Sequence, residues 1–119
     1  MKIPPKHVLV VEDESGVREV CRLMLRMEGH TVAEAKDGIE ALDLFAKDRF
    51  DLVMTDFFMP EMNGCDLAAK LKQLVPSQRI LMITGYAMEV SASENHVDAI
   101  LTKPFSLTEL RQVFEQLFS

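Results

Sequence analysis

Acidic side chains that follow short apolar runs are the residues in this chain best suited to chemistry. Glu12 and Asp13 come directly after residues 8–11, and Asp56 comes shortly after residues 52–54. Three carboxylates in one place repel one another, so such a group must take up a proton or hold a cation. Hard oxygen ligands with room for water suit Mg²⁺. If the fold brings these acids together, they predict a magnesium site.

A hydroxyl and a lysine follow two further apolar runs. Thr84 comes after residues 80–83, and Lys103 comes shortly after residues 99–101. A metal ion, an ammonium group and a hydroxyl around one carboxylate can stabilise a transferring phosphoryl group. Carboxylates also act as covalent nucleophiles, which makes Asp56 the candidate acceptor. Each feature alone is more typical of a turn or a helix start, so the hypothesis depends on their convergence.

The elements that must position these residues alternate along the chain. Four apolar runs are nearly continuous and suit parallel strands that are covered on both faces, whereas residues 31–35 include Glu34 and suit an edge strand. Helical periodicity fills the gaps, but residues 87–96 are polar and predict a short or irregular fourth helix. This pattern indicates an α/β, flavodoxin-like three-layer sandwich around a doubly wound, five-stranded parallel sheet of order 2-1-3-4-5.

Four stretches have helical periodicity, and three of them also carry a signal for where the helix starts. Asp37 with Glu40 marks one start, Ser106 with Glu109 forms a capping box at another, and a third helix is expected to start at Asn63 or Gly64. We interpret the apolar stripes of these helices as core. The stripes are formed by Val17, Val20, Cys21, Met24, Ile39, Leu42, Phe45, Ala46, Leu67, Leu71, Leu74, Val75, Leu110, Val113, Phe114 and Leu117.

Ligands of such sheets bind outside the carboxyl ends of the strands, near the switch point between strands 1 and 3. Every candidate residue falls at that end, and four different strands contribute. The edge strand is expected to contribute nothing. This placement turns four weak signals into one prediction of a phosphoryl-transfer site.

Composition excludes several classes of function. The chain has 119 residues, with 13 Lys and Arg against 19 Asp and Glu, for a net charge of −6. A nucleic-acid binder should instead show a basic face. There is no apolar run as long as the roughly 20 residues of a membrane span and no secretory signal, so a cytoplasmic location is expected. Cys21 and Cys65 do not form a metal-binding pair, which suits a reducing compartment.

Four quoted segments carry a resemblance to a known family: VLVVEDE at 8–14, DLVMTDFFMPEMNG at 51–64, ITGYA at 83–87 and LTKPF at 101–105. With them, the chain resembles the receiver domain of two-component response regulators. The resemblance covers essentially the whole chain and implies a single receiver domain at 1–119. No effector segment follows the matched motifs in the sequence, so we expect signalling through protein contacts unless the chain is a fragment of a larger regulator.

The resemblance assigns roles by position. Asp56 would accept the phosphoryl group, and Thr84 and Lys103 would contact the phosphoryl oxygens. Lys103 and Pro104 would be joined by a cis peptide. The Mg²⁺ ligands would be Glu12, Asp13, Asp56 and the backbone carbonyl of Phe58. The donor would be a histidine kinase or histidine phosphotransfer protein, and the output a downstream protein effector, with no nucleic-acid or membrane partner. The chain would be no enzyme beyond catalysing its own phosphorylation and dephosphorylation.

Other functions remain as alternatives. The chain could be a receiver module of a hybrid kinase or phosphorelay, or a non-phosphorylated interaction domain. An aspartate phosphatase would need a second Asp two residues after the first, where this chain has Phe58. A flavin-binding module would offer hydroxyl and N–H groups to a phosphate, whereas Glu12 and Asp13 would repel it.

Two features depart from the resemblance or refine it. Many receivers carry a switching aromatic where this chain has Ile100, and the span from Thr84 to Lys103 is shorter than usual. We therefore expect activation to move residues 87–96. In the family, the positions of Phe58 and Tyr86 flank the route of the hydrolytic water, so their bulk predicts a long-lived phosphorylated state.

Overall fold

The computed structural model describes residues 3–85 and 96–119, and its centre is a five-stranded parallel sheet. The strand order is β2-β1-β3-β4-β5, which confirms the predicted doubly wound arrangement. The strands are β1 (His7–Val11), β2 (Thr31–Ala35), β3 (Leu52–Asp56), β4 (Arg79–Thr84) and β5 (Ala99–Thr102). Every neighbouring pair runs parallel.

Helices cover both faces of the sheet. They are α1 (Ser15–Met27), α2 (Gly38–Lys47), α3 (Gly64–Leu74) and α4 (Leu107–Phe118). Helices α1 and α4 pack on one face, and α2 and α3 pack on the other. The expected irregular helix at 87–96 lies outside the described residues except for His96, which belongs to a turn and has a φ of 59°.

Side-chain caps start three of these helices as the sequence predicts. The Asp37 carboxylate accepts a hydrogen bond from the Glu40 N–H over 2.8 Å at the start of α2. Asn63 caps α3, which begins at Gly64. Ser106 and Glu109 form the predicted capping box of α4. Because these caps fix where each helix begins, they also fix the lengths of the loops at the carboxyl end of the sheet.

Part of the predicted core is wrong. Val20 is 55% exposed, Ile39 is 60% exposed and Leu74 is 64% exposed, and Val75 is also exposed. On α1, α2 and α3 the predicted apolar stripe is therefore wider than the face that packs on the sheet. On α1 the inward positions are Cys21 and Leu25, one helical turn apart, and Val20 lies to one side of them.

Candidate functional site

The three predicted acids meet at the carboxyl end of the sheet. Strands β1 and β3 are neighbours in which Val11 pairs with Thr55, so the residues that follow each strand lie side by side. Glu12, Asp13 and Asp56 each offer a carboxylate oxygen within 4.8 Å of the others. Glu12 is 3% exposed and Asp56 is 8% exposed, whereas Asp13 faces solvent. A hard oxygen cluster that opens to water on one side fits Mg²⁺.

Lys103 joins two of these acids. Its Nζ lies 3.0 Å from Glu12 Oε1 and 3.0 Å from Asp56 Oδ1. The lysine directly follows β5, and its N–H donates to the Thr84 carbonyl over 2.8 Å. The peptide between Lys103 and Pro104 is cis, as the resemblance implied.

Burial sets the electrostatics of the site. Loss of solvent raises the pKa of Asp56, and the nearby Asp13 charge adds to this, although Lys103 opposes both. Burial likewise raises the pKa of Glu12. Burial alone would lower the pKa of Lys103, but hydrogen bonds to Asp56 and Glu12 raise it. The site therefore favours an added cation, and its lysine stays charged.

Thr84 completes the set of predicted side chains. It is fully buried at the end of β4, the strand that pairs with β3 next to Asp56. The ring of Phe58 is 54% exposed and meets the Phe57 ring edge-on at 4.7 Å. A role for the Phe58 carbonyl stays a prediction, and Tyr86 lies outside the described residues.

The turn after Asp56 requires a glycine at its end. The Gly64 N–H donates to the Phe57 carbonyl over 2.9 Å. A Cβ atom at Gly64 would lie 2.5 Å from the Asp56 carbonyl oxygen, closer than such atoms can approach. The start of α3 therefore lies against the backbone of Asp56, the last residue of the buried strand β3, and leaves no room for a side chain at position 64.

Sequence reasoning missed the groups that hold the backbone of Glu12. The edge strand was expected to contribute nothing, yet the Ala35 carbonyl accepts the Glu12 N–H over 3.0 Å. On the other side, Arg18 Nη1 donates to the Glu12 carbonyl over 2.8 Å. The only hint in the sequence was Glu34, an acid within an otherwise apolar strand, which lies 3.6 Å from Arg18.

A family comparison agrees with this geometry. Residues 8–115 match the model of the response regulator receiver domain. The chain belongs to that family. It is a receiver domain, the module that two-component response regulators use for signal transduction. Among the described helices, none has the length and apolar character needed to cross a membrane.

Individual relatives place the receiver within longer proteins. The chain is 38% identical over 109 residues to the response regulator MprA of Mycobacterium sp. (strain KMS), covering 89% of this chain and 47% of MprA. It is 31% identical over 118 residues to the transcriptional regulatory protein GlrR of Escherichia coli (strain K12), covering 97% of this chain and 27% of GlrR. The receiver thus spans about half the length of MprA and about a quarter of GlrR.

The solved structure of another response regulator shows the same fold. The response regulator TrrA of Thermotoga maritima, in complex with Mg²⁺ and BeF, superposes with a TM-score of 0.85 at 30% identity. The match covers 94% of this chain and 98% of TrrA. Receivers of this family therefore bind Mg²⁺ at an acidic pocket, and this chain has an acidic cluster that fits such an ion.

Proposed function

We propose that Asp56 is the phosphoacceptor of this receiver. The observation that carries the proposal is the convergence of Glu12, Asp13 and Asp56 beside Lys103 at the end of the central strand β3. Asp56 ends a strand whose five residues are all buried, so its carboxylate is held in one position for attack. The proposed donor is the phosphohistidine of a kinase or of a phosphotransfer protein.

The proposed transfer is a simple displacement at phosphorus. A carboxylate oxygen of Asp56 forms a bond to phosphorus, and the bond between phosphorus and the donor's imidazole nitrogen breaks. The electron pair of that bond stays on the nitrogen. Lys103, which already contacts Asp56, is placed to keep a positive charge near the transferred oxygens. Thr84, at the end of the neighbouring strand, is proposed to donate its hydroxyl to one of those oxygens.

Mg²⁺ is the proposed cofactor. Glu12, Asp13 and Asp56 would hold it, together with the backbone carbonyl of Phe58. When bound, the ion would neutralise charge that develops on the phosphoryl oxygens. The raised pKa values of Glu12 and Asp56 support this role, because carboxylates that are costly to ionise together gain the most from an added cation.

The same proposal covers the organisation of the chain and its partners. We propose one receiver domain over residues 1–119, which catalyses its own phosphorylation and dephosphorylation and acts on no separate substrate. Its output would be a downstream protein effector. The named relatives are response regulators, which favours this role over a hybrid-kinase module or a non-phosphorylated interaction domain. A cytoplasmic location and the lack of a nucleic-acid or membrane partner stay predictions.

Labelling with acetyl phosphate tests the assignment. Intact-protein mass spectrometry should show one added phosphoryl group on the wild type with Mg²⁺ and none with EDTA. Asp56→Asn should abolish the labelling. Asp51→Asn is the matched control, because it makes the same change at the opposite end of the sheet, where Asp51 accepts the His7 N–H. Undiminished labelling of Asp56→Asn would overturn the proposal.

A further inference from the structure

Arg18 lies behind the acidic cluster and contacts it through the backbone. Its Nη1 donates to the Glu12 carbonyl over 2.8 Å, while its Nε lies 3.6 Å from Glu34 Oε1. The guanidinium therefore connects the turn after β1 to Glu34, the last residue but one of β2. None of the roles assigned above to the phosphoryl-transfer residues uses this arginine.

Glu34 is the partner that orients Arg18. It is an acid in the edge strand β2, where Val10 of β1 is its pairing partner. Its second oxygen lies 3.8 Å from the Nε of Arg22, one helical turn further along α1. Arg22 also contacts Glu19 over 3.2 Å, so only part of its charge is directed at Glu34. Glu34 thus links α1 to the edge strand.

All the polar atoms of Glu12, in its backbone and in its side chain, have hydrogen-bond partners. Its N–H donates to the Ala35 carbonyl, and its own carbonyl accepts from Arg18. Its side chain accepts from Lys103 over 3.0 Å and from the Glu14 N–H over 3.2 Å. We propose that Arg18, oriented by Glu34, is a positioning residue that fixes the Glu12–Asp13 turn for Mg²⁺ binding. The inference rests on the proposed magnesium site.

Charge and position make opposite predictions for the loss of Arg18. A positive charge near the cluster repels Mg²⁺, so removing it would strengthen binding if charge alone mattered. If Arg18 acts by holding the Glu12 carbonyl, its removal weakens binding. Lysine keeps the charge but has no planar fork that can reach Glu12 and Glu34 together. The sign of the change therefore separates the two roles.

Calorimetric titration of the full chain with MgCl₂ provides the test. Groups that orient metal ligands typically change affinity by about tenfold or more when they are replaced, so Arg18→Lys and Arg18→Gln should each weaken Mg²⁺ binding by about tenfold. Glu34→Gln should weaken it less, since the Glu12 bond remains. Arg22→Gln is the matched control, because it removes a positive charge that lies near Glu34 but does not contact Glu12. This variant should bind Mg²⁺ as the wild type does.

A kinetic measurement distinguishes positioning from general damage. With acetyl phosphate, the Mg²⁺ concentration for half-maximal labelling should rise in the Arg18 variants by the factor that calorimetry gives. The labelling rate at saturating Mg²⁺ should return to the wild-type value. Unchanged or tighter Mg²⁺ binding by Arg18→Gln would overturn the positioning role, as would wild-type binding by Arg18→Lys or an equal loss in Arg22→Gln.

Asp13→Asn separates this inference from the magnesium site on which it rests. Loss of binding in Asp13→Asn together with unchanged binding in the Arg18 variants would reject the positioning role alone. Unchanged binding in Asp13→Asn would reject the proposed site and the positioning role together.

Discussion

Polar side chains at the two ends of the sheet differ in how they are paired. At the carboxyl end, Glu12 and Asp56 share one lysine, and burial raises the pKa of both acids. At the amino end, His7 has a separate partner for each ring nitrogen. Its Nε2 lies 2.9 Å from Asp48 Oδ2, and its Nδ1 lies 2.7 Å from the Thr31 hydroxyl.

Acids at the amino end satisfy backbone donors where strands begin. Asp51 Oδ2 accepts the His7 N–H at the start of β1 over 2.8 Å. Asp98 Oδ2 accepts the Ile80 N–H over 2.8 Å and the Lys72 ammonium over 2.9 Å. Paired groups of this kind stabilise a fold, whereas the crowded acids of the carboxyl end are suited to binding a cation and a phosphoryl group.

The amino end should therefore show the largest loss of stability on mutation. In Asp98→Ala, the Ile80 N–H and the Lys72 ammonium lose a shared acceptor. An unpaired donor of this kind costs about 1–3 kcal/mol, and we expect a decrease of about 2–3 kcal/mol in the free energy of unfolding. Urea denaturation monitored by circular dichroism gives the value. Asp43→Ala, at an exposed position of α2, is the control. An equal loss in both variants would show that the pairing at Asp98 is not structural.

A smaller effect is expected at the rim of the carboxyl end. Phe58 offers no group that can position water, so Phe58→Asn should speed dephosphorylation by about tenfold, a barrier change of about 1.4 kcal/mol. The ring packs edge-on against Phe57, and more than half of its surface is exposed. The measurement is the decay of labelled protein after removal of acetyl phosphate at fixed Mg²⁺. Phe58→Leu keeps the apolar bulk and should decay as the wild type does. Equal decay in all three proteins would disprove shielding by this ring.

The contrast between the two ends also explains what the sequence could predict. Apolar runs that alternate with helical periods determine the order of strands and helices, and parallel strands bring their carboxyl ends together. For that reason Glu12, Asp56 and Lys103 could be placed at one site from their positions after strands. The caps at Asp37 and Ser106 were equally predictable, because each depends on residues three positions apart.

Contacts that depend on the exact rotation or end of an element were beyond that reasoning. The bond from Arg18 to Glu12 depends on the rotation of α1 about its axis, which the apolar stripe fixes only roughly. The same uncertainty explains why the prediction of Val20 and Ile39 as core residues was wrong. Pairs such as Asp98 with Lys72 depend on where β4 and β5 begin, and strand ends are poorly defined by periodicity.

The same substitution at the two ends should change stability in opposite directions. Without Mg²⁺, Asp56→Asn removes a buried charge from the acid cluster and should stabilise the fold by about 0.5–2 kcal/mol, the usual gain when a functional site is relaxed. Asp51→Asn weakens the acceptor of the His7 N–H and should destabilise the fold. Thermal unfolding in EDTA measures both.

Addition of Mg²⁺ provides the control for this pair. Mg²⁺ should raise the melting temperature of the wild type more than that of Asp56→Asn, because the variant has one carboxylate less for the ion. A loss of stability in Asp56→Asn without Mg²⁺ would contradict the prediction that the charge of Asp56 destabilises the fold.

The smallest expected difference concerns pH. Burial lowers the pKa of His30 below 6.5, although Glu28 opposes this shift, and its Nδ1 accepts the Lys6 N–H over 3.0 Å. The folded protein thus favours the neutral ring of His30. As pH falls through 6.5, the unfolded chain takes up a proton at His30 more readily than the folded protein does, so stability should be lost. The acids of the carboxyl end act in the opposite sense. Because the pKa of Asp56 is raised, stability without Mg²⁺ should be regained as pH falls from its raised pKa toward the ordinary value of 3.8.

Urea denaturation at a series of pH values in EDTA resolves the two contributions. His30→Asn keeps an acceptor for Lys6 but does not titrate, so it should flatten the slope near pH 6.5 and leave the acidic limb unchanged. Asp56→Asn should do the reverse, because it removes only an acid. If His30→Asn kept the full slope near pH 6.5, another group would be responsible for it, and His30 would not be a residue that the fold needs in its neutral form.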